Sequence, residues 1–153
     1  MLKENTKATD FTLSNQFGEP VNLHDFLGQT IVLYFYPKDD TPGCTKEACT
    51  FVAAYEGFKN RNITVIGISK DSVKSHQKFA EKYQLPFQIL ADPDLTAIQA
   101  YDVWQEKKLY GKTYMGIVRC TYIIDETGMI KKVYEKVTPA SHAQDILNDL
   151  EAN

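Results

Sequence analysis

The sequence predicts an α/β fold, with a mixed β-sheet that is flanked by helices on both faces and preceded by an N-terminal β-hairpin. Two continuous runs of β-branched and aromatic residues, 30–36 and 63–69, lack polar alternation, as in strands that are covered on both faces. Segments with helical spacing of apolar residues follow each run, and a strand pair and a helix close the chain. This alternation is typical of a mixed sheet with helices packed on both sides.

Turn residues mark the first elements. Short apolar stretches flank the segment NQFGE, which predicts a hairpin around Gly18. After the strand at 30–36, Pro42-Gly43 permits a tight bend. From Cys44 onward, apolar residues recur at i, i+3 and i+4 and predict a helix. The apolar stripe of this helix consists of Ala48, Phe51, Val52, Tyr55 and Phe58.

A second helix is expected after the strand at 63–69, where Asp71 and Ser72 are candidate caps. The rest of the chain predicts a short strand at 87–90, a helix at 94–103, two strands around a turn at 126–128, and an amphipathic helix at 142–150. The helices and strands therefore continue to alternate as far as the terminal hairpin.

The composition is that of one folded domain, which we expect to span residues 1–153. Of the 153 residues, 43% are hydrophobic and 24% are charged, close to ordinary globular usage. The net charge of -3 and the scattered Lys and Arg argue against a nucleic-acid partner. The N-terminus is polar, and no apolar run approaches the roughly 18 residues of a spanning helix. We therefore expect a cytoplasmic protein with no membrane partner.

The three cysteines are too few and too oddly numbered for a secreted disulfide framework. In a reducing cytosol a thiol pair is more often catalytic, redox-sensing or metal-binding than structural. On the predicted helix, Cys44 lies on the apolar stripe and Cys49 about 140° away from it. Their Cα atoms would be about 8.7 Å apart, beyond the roughly 7 Å limit for a disulfide. A bond between them would require part of the helix to unwind.

The position of Cys44 at the start of a helix favours a thiolate, because free N–H groups and the positive end of the helix dipole lie there. Complete ionisation would raise the thiolate fraction at pH 7 only about 30-fold, roughly 2 kcal/mol, so the surroundings must also stabilise a transition state. The alternative is an inert, buried cysteine that acts as a small hydrophobic residue.

Metal sites are not indicated by the spacing of the candidate ligands. A plant-type iron–sulfur site needs a further cysteine where Val52 stands. The three histidines are far apart in sequence and are expected to be isolated surface residues: His24, His76 and His142. Asp92 and Asp94 are expected to form a turn and a helix cap. We therefore expect no metal, haem or flavin.

The segment from Pro37 to Cys44 resembles the PxxxTxxC signature of peroxiredoxins. With GCTKEACTF, which carries a second cysteine five residues after the first, it is similar to the bacterioferritin comigratory protein branch, also called peroxiredoxin Q. The similarity spans nearly the whole chain and includes ATDFTL, ADPD and VWQEKKLYGKTYMGIVRCTYIID. This resemblance implies a thioredoxin-like fold.

The resemblance also implies a role for each matching residue. Cys44 would be the peroxidatic cysteine, whose thiolate attacks the peroxide O–O bond to give a sulfenic acid. Thr41 would hydrogen-bond the peroxide, and Pro37 would shield the site from water. Arg119 would hold the thiolate and the peroxide oxygens with its fork of donors, and Glu47 would orient that arginine.

Cys49 matches the resolving cysteine of this branch, which condenses with the sulfenic acid to form an intramolecular disulfide. A thioredoxin-like reductant would then restore both thiols. Cys120 stands where the family commonly has serine. In an extended strand it would point away from Arg119, so we expect a buried small residue there.

The predicted function is that of a thiol-dependent peroxidase that reduces hydrogen peroxide and organic hydroperoxides and is recycled by thioredoxin or a similar thiol reductant. The resemblance further implies a monomer. Two alternatives remain open at this point. One is a thioredoxin-type thiol–disulfide oxidoreductase, against which the missing CxxC motif argues, and the other is a non-enzymatic peroxide sensor.

Overall fold

The computed structural model describes residues 1–151, in which nine strands and four α-helices occur. The strands are β1 Thr12–Ser14, β2 Pro20–Asn22, β3 Thr30–Phe35, β4 Ile63–Ser69, β5 Gln88–Ala91, β6 Trp104–Leu109, β7 Lys112–Ile117, β8 Cys120–Ile124 and β9 Ile130–Tyr134. The helices are α1 Pro42–Asn60, α2 Val73–Tyr83, α3 Thr96–Ala100 and α4 His142–Glu151, and a 3₁₀ turn covers Leu23–Phe26. Among residues 1–151, no helix is long and apolar enough to cross a bilayer.

Seven strands form one mixed sheet in the order β2-β1-β5-β4-β3-β8-β9. At its centre, β3 pairs parallel with β4 and antiparallel with β8. The N-terminal hairpin of β1 and β2 is antiparallel, and Gly18 in its turn has a φ of 77°. At this φ a side chain would be strained, which explains the glycine. The predicted mixed sheet and N-terminal hairpin are confirmed.

Side chains alternate along β3 between two hydrophobic clusters, one on each face of the sheet. On the first face, Leu33 and Phe35 pack in a cluster that includes Ala97 and Ile98 of α3. We call this the α3 face. On the opposite face, residues of α1, α2 and α4 pack against the sheet, and we call this the α1 face. Helices therefore cover both faces, as the sequence predicts.

Three local features differ from the sequence predictions. The hairpin of β6 and β7 is not predicted, because its strands carry mostly polar and exposed residues and it pairs outside the main sheet. The third helix is shorter than the predicted 94–103 and covers Thr96–Ala100. Gly43 lies inside α1 rather than in a bend, and the positive φ before this helix is at Asp40, with a value of 54°.

Candidate active site

The first turn of α1 carries Cys44 at the carboxyl end of β3. Thr41 is the N-cap in an extended conformation, and Pro42 occupies the first helical position, where a missing N–H costs nothing. Cys44 is 2% exposed, because it lies on the side of the helix that packs on the sheet. The first N–H groups of a helix have no acceptor inside the helix, so they favour negative charge at this end.

The Thr41 hydroxyl is directed away from its usual N-cap role. It donates a hydrogen bond to the Lys38 carbonyl at 2.9 Å and makes no capping bond to α1. A missing N-cap bond usually costs about 0.5–2 kcal/mol of helix stability. Because its hydrogen is engaged by Lys38, the Thr41 oxygen remains available as an acceptor.

Arg119 reaches Cys44 because of strand register. Cys120, the first residue of β8, pairs with Phe35 at the end of β3 and points into the α3 face. Since neighbouring side chains alternate, Arg119 is directed to the α1 face, where its Nη2 donates to the Cys44 Sγ at 3.3 Å. A Cβ at Gly43 would lie 3.1 Å from the same Nη2, so glycine at this position leaves room for the guanidinium.

Glu47 lies one turn after Cys44 and is fully buried. Its Oε1 accepts a hydrogen bond from Nη1 of Arg119 at 2.7 Å, so the guanidinium bridges two residues of α1. Burial raises the pKa of Glu47 to about 7, although Arg119 opposes that rise. Burial alone would lower the pKa of Arg119, but Glu47 and Cys44 outweigh it and raise that pKa above its ordinary value. The cation beside the Cys44 sulfur therefore persists at neutral pH.

Cys49 is exposed on α1, whereas Cys44 is buried. The helix runs without a break from Pro42 to Asn60, so about 8.7 Å separates the two Cα atoms in ideal geometry. Both thiols are free. The two cysteines thus cannot bond while the first turns of α1 are intact.

Pro37 is partly buried and follows Tyr36 at the start of the loop that leads to Thr41.

Cys120 is fully buried in the cluster on the α3 face, as the sequence predicts. Burial raises the pKa of its thiol to about 12, and a hydrogen bond with Tyr122 opposes this only in part. The thiol is therefore protonated at neutral pH. The sheet separates it from Cys44.

The prediction of isolated surface histidines is wrong for two of the three. His24 is exposed, but His76 and His142 are buried, at 0% and 2% exposure. A signal was present for His76, since Phe79 follows it three residues later on the apolar side of α2.

Within residues 1–151, Asp39, Asp71 and His76 form the one group whose ligand atoms are close enough for a metal ion. These atoms are engaged with one another and with neighbouring residues, as described below. Asp92 accepts from the backbone N–H groups of Thr96 and Ile98 and caps α3, as expected.

Comparisons with known proteins identify the family of the chain. The model of the AhpC/TSA family matches residues 5–133. The chain is 48% identical over 144 residues to a putative peroxiredoxin bcp of Coxiella burnetii, covering 94% of this chain and 95% of the relative. It is 47% identical over 144 residues to peroxiredoxin Bcp of Bacillus subtilis, covering 94% and 92%. It resembles a structure of the Xanthomonas campestris bacterioferritin comigratory protein, studied for alkyl peroxide reduction, with a TM-score of 0.88, 38% identity, and coverage of 93% of this chain and 90% of that one.

Proposed function

This chain belongs to the AhpC/TSA family, and we propose that it is a thiol-dependent peroxidase in which Cys44 is the peroxidatic cysteine. Homologous peroxiredoxins support peroxides as the substrates and a thiol as the reductant. The observation that carries the assignment is the guanidinium of Arg119, which donates to Cys44 and to Glu47 at the same time. A thiolate beside a fixed cation at a helix N-terminus is suited to nucleophilic attack.

In the proposed first step, the Cys44 thiolate attacks the terminal oxygen of a hydroperoxide. The S–O bond forms as the O–O bond breaks, and the leaving alkoxide takes a proton to become an alcohol, or water when the substrate is hydrogen peroxide. Cys44 becomes a sulfenic acid. Arg119 stabilises the negative charge that develops on the oxygens, and Thr41 accepts the peroxide O–H. Pro37 covers the site against water.

In the proposed second step, Cys49 attacks the Cys44 sulfur, a disulfide forms, and the sulfenic oxygen leaves as water. The first turns of α1 must unwind for this step, because both cysteines lie on one continuous helix. A dithiol of the thioredoxin type then reduces the disulfide by exchange. The exposed position of Cys49 supports its role as the residue that reaches Cys44 when the helix opens.

We further propose that residues 1–153 form a single domain that acts as a monomer in the cytoplasm. One sheet supports both hydrophobic clusters of the described residues, which favours a single domain. The three free thiols are in keeping with a reducing compartment. Sedimentation of the reduced protein at several concentrations tests the monomer.

Turnover of peroxide with thioredoxin, thioredoxin reductase and NADPH tests the function. The wild-type protein should consume many equivalents of peroxide, whereas Cys49→Ser should complete one turnover and then accumulate oxidised Cys44, visible by mass. Cys120→Ser is the matched control and should cycle like the wild type. Reduction of insulin disulfides without peroxide consumption would instead establish the oxidoreductase, and a single oxidation without turnover of the wild type would establish the sensor.

A further inference from the structure

The loop that leads from β3 to α1 is attached to the rest of the protein by one of its own residues, which is polar and buried. Asp39 is only 7% exposed although both of its neighbours in the loop are exposed. Its carboxylate accepts three hydrogen bonds, of 2.6, 2.8 and 2.6 Å, from Tyr36, Ser75 and His76. Two of these donors belong to α2, so this helix fixes the loop.

The ring of His76 connects Asp39 to the sheet. One ring nitrogen contacts the Asp39 carboxylate, and the other lies 2.9 Å from the carbonyl oxygen of Leu90. Both ring nitrogens of this buried side chain therefore have a partner, one of which is Asp39. The loop is therefore firmly anchored at Asp39.

A second carboxylate holds the backbone of the same residue. Oδ2 of Asp71 accepts a hydrogen bond from the Asp39 N–H at 2.8 Å and another from the Ser69 hydroxyl at 2.7 Å. The Asp39 N–H and the Lys38 carbonyl belong to one planar peptide unit and point in opposite directions. An acceptor that fixes the N–H therefore also fixes the direction of the Lys38 carbonyl.

That carbonyl is the acceptor of the Thr41 hydroxyl, at 2.9 Å. A continuous hydrogen-bonded chain thus runs from Asp71 through one peptide unit to Thr41. Thr41 makes no capping bond to α1, although its oxygen could accept one at this position. If the carbonyl rotated away, the hydroxyl would lose the acceptor that fixes its direction.

We propose that Asp71 is a positioning residue that orients the Thr41 hydroxyl through the peptide between Lys38 and Asp39. This inference rests on the proposed function, in which Thr41 accepts the peroxide O–H. Asp71 keeps the hydroxyl hydrogen on Lys38, and this leaves the Thr41 oxygen as an acceptor in the site. Asp71 does not itself touch the reacting atoms.

A double-mutant cycle on the rate of Cys44 oxidation by hydrogen peroxide, followed by acid quench and intact mass, tests this coupling. Thr41→Val should slow the oxidation by about 10²-fold, the usual effect of losing one such bond in a transition state. Asp71→Ala should slow it by about 10-fold in the wild-type background but less than about 2-fold in the Thr41→Val background. Asp71→Asn keeps an acceptor oxygen and should recover the rate to within about 3-fold of the wild type.

Asp40→Asn is the matched control, because Asp40 lies in the same loop and is bound to α2 by Lys82 and Tyr83 through exposed contacts. It should change the rate by less than about 2-fold. An equal loss from Asp71→Ala in both backgrounds would overturn the positioning role and leave the peroxidase assignment intact. A wild-type protein that is not oxidised by peroxide would instead overturn the proposed function.

If Asp71→Ala does not fold, Ser69→Ala enters the same cycle, because it frees Asp71 from its second donor. A loss of about 3-fold that disappears in the Thr41→Val background is then expected, and a loss that persists there contradicts the inference.

Discussion

Cys44 and Cys120 are equally buried, at 2% and 0% exposure, yet their surroundings are opposite in character. Cys44 lies on the α1 face in the first turn of a helix, 3.3 Å from a guanidinium nitrogen. Cys120 lies on the α3 face within a strand, where burial raises the pKa of its thiol to about 12. Exposure therefore does not distinguish the thiol that we propose to be reactive from the one that we expect to be inert. The fixed charges and free N–H groups around the sulfur do.

A single step along the chain separates the two environments. Arg119 and Cys120 are consecutive, and strand alternation sends the guanidinium to one face of the sheet and the thiol to the other. The arginine thus supplies charge to Cys44, which is 75 residues away in sequence, rather than to its own neighbour. We therefore expect changes around Cys44 to alter the rate of its oxidation by peroxide, and matched changes elsewhere to leave that rate unchanged.

The largest effect is expected from the thiols themselves. Cys44→Ser should reduce the rate of peroxide consumption by at least about 10³-fold, because loss of a nucleophile removes the covalent pathway. Cys120→Ser should leave the rate within about 2-fold, since this thiol is protonated and lies behind the sheet. A peroxide assay with thioredoxin measures both. Full activity in Cys44→Ser would refute the comparison.

Removal of the cation should be the next largest effect. Arg119→Met keeps much of the side-chain volume but loses the charge, and the rate of Cys44 oxidation should fall by about 10²–10³-fold, or roughly 2.7–4 kcal/mol. Arg61→Met is the matched control, because Arg61 donates to backbone carbonyls of α4. It should change the rate by less than about 2-fold. Equal losses in the two variants would show a general effect on stability.

Glu47 should give the region around Cys44 a distinctive dependence of stability on pH. Its pKa is about 7 in the folded protein and 4.5 for an ordinary carboxyl, so the folded state holds the proton more tightly. The stability that Glu47 contributes is therefore fully present below about pH 4.5 and is lost as pH rises from 4.5 to 7.

Urea unfolding of the reduced protein at pH 5 and pH 8 measures this effect. Between these values, the wild type should lose about 2–3 kcal/mol of unfolding free energy that Glu47→Gln does not lose. Glu56→Gln removes an exposed carboxylate from the same helix and should behave like the wild type. If Glu47→Gln showed the same pH dependence as the wild type, its carboxyl would not be the group that titrates.

The smallest effect concerns the space that Gly43 leaves for the guanidinium. A Cβ there would lie 3.1 Å from Nη2, so Gly43→Ala should displace Arg119 and slow Cys44 oxidation by about 10-fold, or 1.4 kcal/mol. Gly57 offers a matched control on α1, since its Cβ would lie 3.1 Å from Cδ1 of Leu147. Gly57→Ala should leave the rate unchanged within about 2-fold. Stopped-flow oxidation of both variants measures the difference.

Local periodicity was sufficient to predict much of this arrangement. The helix that begins near Cys44, the burial of Cys44, and the exposure of Cys49 follow from the spacing of apolar residues in one segment. The α/β architecture follows likewise from runs of buried strand residues, and the burial of Cys120 follows from strand alternation.

Contacts that depend on strand register or on burial of polar groups could not be derived in this way. The approach of Arg119 to Cys44 depends on the pairing of Cys120 with Phe35, and the resemblance to peroxiredoxins, not the spacing, suggested it. The dipeptide Pro42-Gly43 predicts a bend, because the sequence does not show that the guanidinium of Arg119 packs against Gly43. The wide separation of the histidines in sequence predicts surface positions, and it does not show that Asp39 of a polar loop binds the buried ring of His76.

The proposed function requires that Cys44, and not Cys120, reacts with peroxide and then bonds to Cys49. Intact mass, thiol counting and peptide mapping after one equivalent of hydrogen peroxide test it directly. We expect the loss of two thiols, a peptide in which Cys44 is linked to Cys49, and an unmodified Cys120. Oxidation of Cys120, or a disulfide between Cys120 and Cys44, would contradict it.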